Sequence, residues 1–221
     1  MTDILEFWAG LAGNARVHPA DRAVLDRANH SFDLDCLPAP FTGPLKTARV
    51  VLLFLSPGLD GDGFDQRHAR SAQGQQWYLR QRSGLEPMPD ADEHNPHYHW
   101  WTKKVRQFGL TPNEARHSVA ILDLAPYHSV TFSDWHMLSA LPSSRASLDW
   151  AQSTLFEEAM AGERIVICMR SADRWGLRAG RSYGEGLFAP ECTRGGFMLR
   201  DELRNRVVSK VRNSVRPATI D

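Results

Sequence analysis

The sequence predicts an α/β protein, a three-layer α/β/α sandwich with a mainly parallel central sheet. Three observations predict it. Apolar runs of strand length lie at 49–55, 118–124 and 164–169, and each is continuous rather than alternating, as strands buried on both faces are. Helical periodicity fills the stretches between and after them. At 221 residues the chain is long enough for one well-cored domain, and a second would have to be small. The expected organisation is a single domain over 1–221, with a helical N-terminal extension over 1–43 and a core over 44–205.

The elements follow in order. Ile4, Phe7, Trp8 and Leu11 recur at helical spacing, and Val24, Leu25 and Ala28 continue the pattern towards residue 30. Pro38, Pro40 and Pro44 then mark an extended connection. After the first strand comes a long insertion, 58–117, with one helix expected around 75–81. A second is expected over 99–108, where Trp100, Trp101, Val105 and Phe108 form a stripe that Gly109 ends. An irregular loop, 125–145, follows the second strand, and a helix starts near Ser147 with Leu148, Leu155, Phe156, Ala159 and Met160 inward. The third strand runs into Ser171-Ala172-Asp173, a helix start. The closing helix carries Leu199, Leu203, Val207, Val211 and Val215 at intervals of four. Ligands of open α/β sheets sit at the carboxyl ends of the strands. Here those ends are Ser56-Pro57-Gly58, 123–129 and 170–172.

Composition narrows the class. No apolar run approaches the roughly 20 residues of a membrane span, and the first residues lack the basic region of a signal peptide. The three cysteines, Cys36, Cys168 and Cys192, are odd in number and lack CxxC spacing, which suits reduced thiols and a cytoplasmic location. Lys+Arg and Asp+Glu balance over the chain, but residues 161–221 hold 12 Lys+Arg against 7 Asp+Glu. That basic quarter suits either a phosphate backbone or an Arg-rich solvated surface.

Four segments, in this order, resemble the uracil-DNA glycosylase superfamily: LFLSPGL, preceded by FTGPLKTARVVLL; AILDLAPYHS; RIVICMRSADRWGL; and FAPECTRGGFMLRDEL. The family's corresponding motifs are of the type GQDPYH, GxNPG or GEAPG, a strand ending in a base-reading Asn, a strand VVVxxGxxA, and a last His-Pro motif. The resemblance spans roughly residues 44–205. It implies the fold of that family, binding of nucleic acid (DNA rather than RNA) or of a nucleobase, and hydrolysis of an N-glycosidic bond without a bound cofactor. A non-catalytic nucleic-acid-binding or protein-interaction module on the same scaffold is the alternative.

The resemblance also assigns residues. Ser56 stands where the family has its water-activating Asp or Asn, followed by Pro57 and Gly58. Asp123 stands at the base-reading Asn; an ionised carboxylate only accepts hydrogen bonds, so it is expected to prefer an exposed amino group and reject uracil. The last motif lacks its His, with Pro190, Glu191 and Cys192 in its place, and His128 or His136 is the expected stand-in. Asp60, Asp62 or Asp65, the first two closest to the strand end, could supply the missing carboxylate, bind a divalent cation as Asp-x-Asp, or simply belong to a solvated Gly-Asp turn. Tyr127 and Trp135 could stack on a base or pack in the core. Arg170 and Ser171 are anion ligands if a helix starts there, and Arg194-Gly195 suits close approach to a phosphate.

Two other chemistries were weighed from the residues. His94, His97 and His99 resemble a metal cluster, but Pro96 is expected to break helical spacing, so no metal site is assigned and a surface loop is expected. A serine hydrolase built on Ser56 is excluded because Pro57 follows the serine and removes the backbone donor an oxyanion hole needs.

Overall fold

The computed structural model describes residues 3–91 and 95–216. The chain opens with α1 (Ile4–Ala9), whose Leu5 N–H is capped by Asp3 at 2.6 Å. A 3₁₀ turn (Pro19–Asp21) leads into α2 (Arg22–Leu25), so the N-terminal periodicity belongs to short pieces and not to one helix. Strand β1 (Phe41–Thr42) and β2 (Val50–Phe54) follow. The insertion holds α3 (Phe64–Arg70), α4 (Ala72–Gln81), α5 (Pro96–Arg106) and α6 (Pro112–Ala115). Then come β3 (Val119–Asp123), α7 (Met137–Ala140) and α8 (Pro142–Trp150), which passes through a π-helical turn (Ala151–Leu155) into α9 (Phe156–Met160). The chain closes with β4 (Ile165–Cys168), a 3₁₀ turn (Ala172–Trp175), β5 (Arg181–Tyr183), β6 (Leu187–Ala189) and α10 (Glu202–Val215).

The six strands form one mixed sheet in the order β1-β3-β2-β4-β6-β5. The central β3, β2, β4 and β6 are parallel, whereas β1 and β5 are antiparallel at the two edges. The expectation of a mainly parallel sheet is corrected at those edges. The reason is length: β1 has two residues and β5 three, and Arg181 and Ser182 are exposed, so neither makes an apolar run.

Alternation along the buried strands supplies two cores. Val51, Leu53, Ala120, Leu122, Val166 and Cys168 face one way, onto Ile4, Trp8, Leu11, Phe32, Leu155 and Phe156. Val50, Leu52, Phe54, Val119, Ile121 and Ile167 face the other, onto Trp101, Val105, Val207 and Val211 of α5 and α10. Helices on both faces are compatible with three layers. Asp123 follows Ile121 by two residues and so points to the α5 side.

Three local features place the site. Ser71 ends α3 and caps α4, its Oγ donating to His68 O (3.0 Å) and accepting from Gly74 N–H (3.0 Å). The two helices meet so closely that a Cβ on Gly74 would lie 2.0 Å from the His68 carbonyl oxygen. Helix α5 begins at Pro96, not at residue 99: Asn95 accepts from His97 N–H at 2.9 Å, and proline at the first helical position gives up no needed donor. Pro96 therefore starts this helix instead of breaking it.

Helix α8 also starts earlier than residue 147, and its cap comes from a distance. Asp21 Oδ1 accepts from Ser143 N–H (2.9 Å), and Asp21 Oδ2 accepts from Tyr127 Oη–H (2.6 Å). The buried carboxylate thus joins the N-terminal segment, the loop after β3 and a helix N-terminus, where negative charge is favoured. Tyr127→Phe removes one of these bonds and is expected to lower unfolding free energy by about 1–3 kcal/mol. Denaturant titration of the two proteins, read as the shift in midpoint, checks this.

Candidate functional site

The ends of β2 and β3 continue as a zipped pair of loops. Leu124 N–H donates to Phe54 O (3.1 Å), Ala125 N–H to Leu55 O (2.8 Å) and Ser129 N–H to Pro57 O (3.4 Å). This zipper brings His128 under Gly58, whose carbonyl lies 2.7 Å from His128 Nδ1. A carbonyl only accepts, so Nδ1 carries a proton, and in the neutral ring Nε2 keeps the lone pair. His128 is fully buried, and its Nε2 has no hydrogen-bond partner among the described residues.

Beside this pair lies a cavity of about 260 Å³, small for a ligand pocket and of a size for one compact ring system. Ser56, Pro57, Gly58 and Asp60 form its loop side, and Ile121, Asp123 and His128 line it from β3 and its loop. Trp77 and Tyr78 of α4 and His97, Trp100 and Trp101 of α5 supply the aromatic wall. Residues 97, 100 and 101 share one helix face because α5 starts at Pro96. Trp101 Nε1, like His128 Nε2, is buried and without a partner among the described residues.

Asp65, in the first turn of α3, is buried against the same cavity. Its Oδ1 accepts from His97 Nε2 at 2.6 Å, its Oδ2 accepts from Asp60 N–H at 3.2 Å, and Oδ2 lies 3.6 Å from His128 Nδ1. Burial alone would raise its pKa, but the His97 hydrogen bond and the charges of His97 and His128 hold it below the usual carboxylate range. Burial, the largest effect on His128, pushes that imidazole's pKa down; Asp65 opposes this and His97 reinforces it. Asp123 behaves oppositely to Asp65. Burial raises its pKa well above the ordinary 3.8, and Arg170 only partly opposes. A carboxyl that keeps its proton offers one O–H donor and one C=O acceptor, unlike the acceptor-only carboxylate expected from sequence.

A second, more polar cavity of about 400 Å³ shares Ser56, Gly58 and Trp100 with the first. Arg170, Arg194, Gly195, Ser129 and Thr131 line it, and Ser129 Oγ is buried without a partner among the described residues. Lys104 stands nearby, donating to Gly195 O and lying 3.8 Å from the Phe197 ring centre. Burial first, then Lys103 and Arg170, pushes its pKa down to about 8.

The structure thus brings together Ser56, Pro57, Gly58, Asp60, Asp123, His128, Arg170, Arg194 and Gly195 around two joined cavities. Other expected residues lie elsewhere. Tyr127 is not a stacking residue: its ring packs beside Phe32 and its hydroxyl reaches Asp21. Asp62 is exposed and lines neither cavity. Asp60 lines the first cavity, but its carboxylate accepts from the N–H groups of Asp62, Phe64 and Asp65, which makes it the organiser of the turn. Ser171 heads only a four-residue 3₁₀ turn, with φ of 55°, and lines neither cavity. Trp135 and His136 are exposed, with Trp135 under Arg174 and His136 bonded to Asn29 O. His94 lies outside the described residues. His97 is a helix residue paired to Asp65 and not part of a surface loop. Among the described residues no group of three or more His, Cys, Asp and Glu is placed to hold a metal ion, and no helix is long and apolar enough to cross a membrane.

The Asp65–His97 pair and the tryptophan wall went unassigned by sequence reasoning. The signal was Asn95-Pro96, a cap followed by a first-turn proline, which sets the register of α5. Comparison with protein-family models, with curated proteins and with solved structures finds no match to this chain.

The two buried carboxyls pull stability in opposite directions. Asp123 binds its proton more tightly folded than unfolded, so its contribution is full below the ordinary 3.8 and is lost as pH rises through the folded value. The contribution of Asp65 is present above 3.8 and lost as pH falls below it. Asp123→Asn removes only the first. Thermal melts from about pH 5 to about pH 9 are expected to show the variant gaining on the wild type as pH rises. A constant difference in melting temperature would count against a neutral buried Asp123.

Proposed function

We propose that this protein is a divergent uracil-DNA glycosylase-like protein that receives a nucleobase in the tryptophan-lined cavity and hydrolyses its N-glycosidic bond. The observation that carries the reading is the meeting of Ser56, Asp123 and His128 in one cavity that opens beside Arg170 and Arg194. A base turned out of the stack fits between aromatic walls, where stacking is worth about 1–3 kcal/mol. The arginine-lined cavity suits the phosphate that accompanies the flipped nucleotide.

The neutral Asp123 carboxyl defines the edge that is read. Its C=O accepts from a ring N–H and its O–H donates to a neighbouring carbonyl, the pattern of uracil and other lactam bases. Rotated, it donates to a ring nitrogen and accepts from an amino group, as on cytosine. Uracil is therefore not rejected by this group, in contrast to the expectation for an ionised carboxylate.

The second reading, a binding module without chemistry, is favoured by one observation. Ser56 is a hydroxyl and a poor base, and Asp60 already accepts three backbone hydrogen bonds.

Oligonucleotides carrying single normal, deaminated or modified bases, incubated with the protein and scored for abasic sites, separate the readings. Excision of at least one base is expected, and Asp123→Ala should weaken it by about 1–3 kcal/mol, or roughly 5- to 150-fold. Binding should weaken steeply with salt if Arg170 and Arg194 meet phosphates. Binding without excision favours the module. Neither excision nor binding at low salt overturns both.

A further inference from the structure

The cavity holds a histidine, His128, at a position where the family's motifs place no water-activating group. We propose that His128 Nε2 is the catalytic base that takes the proton from the attacking water, and that Asp65, clamped between His128 and His97, is its positioning residue. The proposal rests on the glycosidic reading above and names the group that reading leaves open.

Elimination and geometry argue it together. Ser56 is uncharged, Asp60 is occupied by the turn, and burial pushes the Asp123 pKa well above the ordinary 3.8. Asp65 has its oxygens bonded to His97 Nε2 (2.6 Å) and Asp60 N–H (3.2 Å). His97 meets Asp65 through Nε2, whereas His128 Nε2 is buried and free of any partner among the described residues. Two contacts fix which nitrogen that is: Gly58 O at 2.7 Å and Asp65 Oδ2 at 3.6 Å both face Nδ1. When Nε2 takes a proton, the imidazolium forms beside the Asp65 carboxylate, which stabilises it.

The step balances. Water gives a proton to Nε2 while its oxygen bonds to the anomeric carbon. The carbon–nitrogen bond breaks with its electron pair going to the base. The base then takes up a proton, from His128 or from solvent, so one water is consumed overall.

The charged groups facing His128 are Asp65 on α3, His97 on α5 and Asp33, whose N–H donates to His128 O at 2.9 Å. They set the sign of each test. Asp65 raises the His128 pKa and His97 lowers it. In a pH–rate profile, activity is lost as pH falls and His128 becomes charged. Asp65→Asn should move that acid limb to lower pH, and His97→Gln should move it to higher pH. A group acting only through the fold would not give opposite shifts.

The substrates are single-stranded oligonucleotides carrying one uracil or one hypoxanthine, both with lactam edges. His128→Gln is expected to lower excision by about 10²–10⁴-fold while tryptophan quenching by free uracil persists. Nitrogen NMR of the wild-type imidazole should show Nδ1–H and an unprotonated Nε2 at neutral pH, a readout that needs no variant to fold. Excision unchanged in His128→Gln, limbs that do not move apart, or the opposite tautomer overturns this inference and leaves the base-binding reading standing. A wild type that neither excises nor binds overturns both.

Discussion

The burial of one negative charge orders this molecule. Taking a carboxylate such as Asp65 out of water costs several kcal/mol, and it persists only where charge and hydrogen bonds offset that cost. Here the offset comes from three elements: His97 on α5, the Asp60 N–H in the turn after β2, and His128 in the loop after β3. His97 and the Asp60 N–H donate to the carboxylate, and His128, bonded through Nδ1 to Gly58 O, stands 3.6 Å from it. The cavity is the space those elements leave between them, and its shape follows from the clamp.

The molecule keeps its structural and its candidate chemical polar groups on different sides of the sheet. Asp21 with Tyr127 and Ser143 ties together the layer formed by the N-terminal segment and α8. Asp65, Asp123, His97 and Arg170 gather towards α5. Within that second group the carboxyl pKa values are driven apart, Asp65 down and Asp123 up, around the small cavity, and two arginines line the next.

How much of this the sequence made legible follows from where the physical signal was stored. The central strands were legible because burial on both faces forces continuous apolar runs, and their carboxyl ends located Ser56, Asp123 and Arg170. The edge strands were not, because Phe41-Thr42 and Arg181–Tyr183 are too short to carry a pattern and gain their pairing from neighbours. The upward pKa shift of Asp123 was not legible, because it depends on burial by tertiary neighbours, which sequence spacing does not reveal. The histidine cluster was misread for a single reason: Pro96 was treated as a helix breaker when Asn95 makes it a helix start. Tyr127 and Asp62 were expected near the site by chain proximity alone; Phe32 and Asp21 draw Tyr127 away, and Asp62 stays exposed on the turn.

The tight corner between α3 and α4 limits how sequences of this kind can vary. Asp65 reaches the clamp from α3 and Trp77 reaches the cavity from α4, so both depend on the angle that Ser71 and Gly74 set. A methyl group at Gly74 collides with backbone, not with a side chain that could turn away. Side chains of the tryptophan wall can vary one at a time, whereas any side chain at Gly74 moves the Asp65 anion and the wall together, so the corner is the less tolerant of the two.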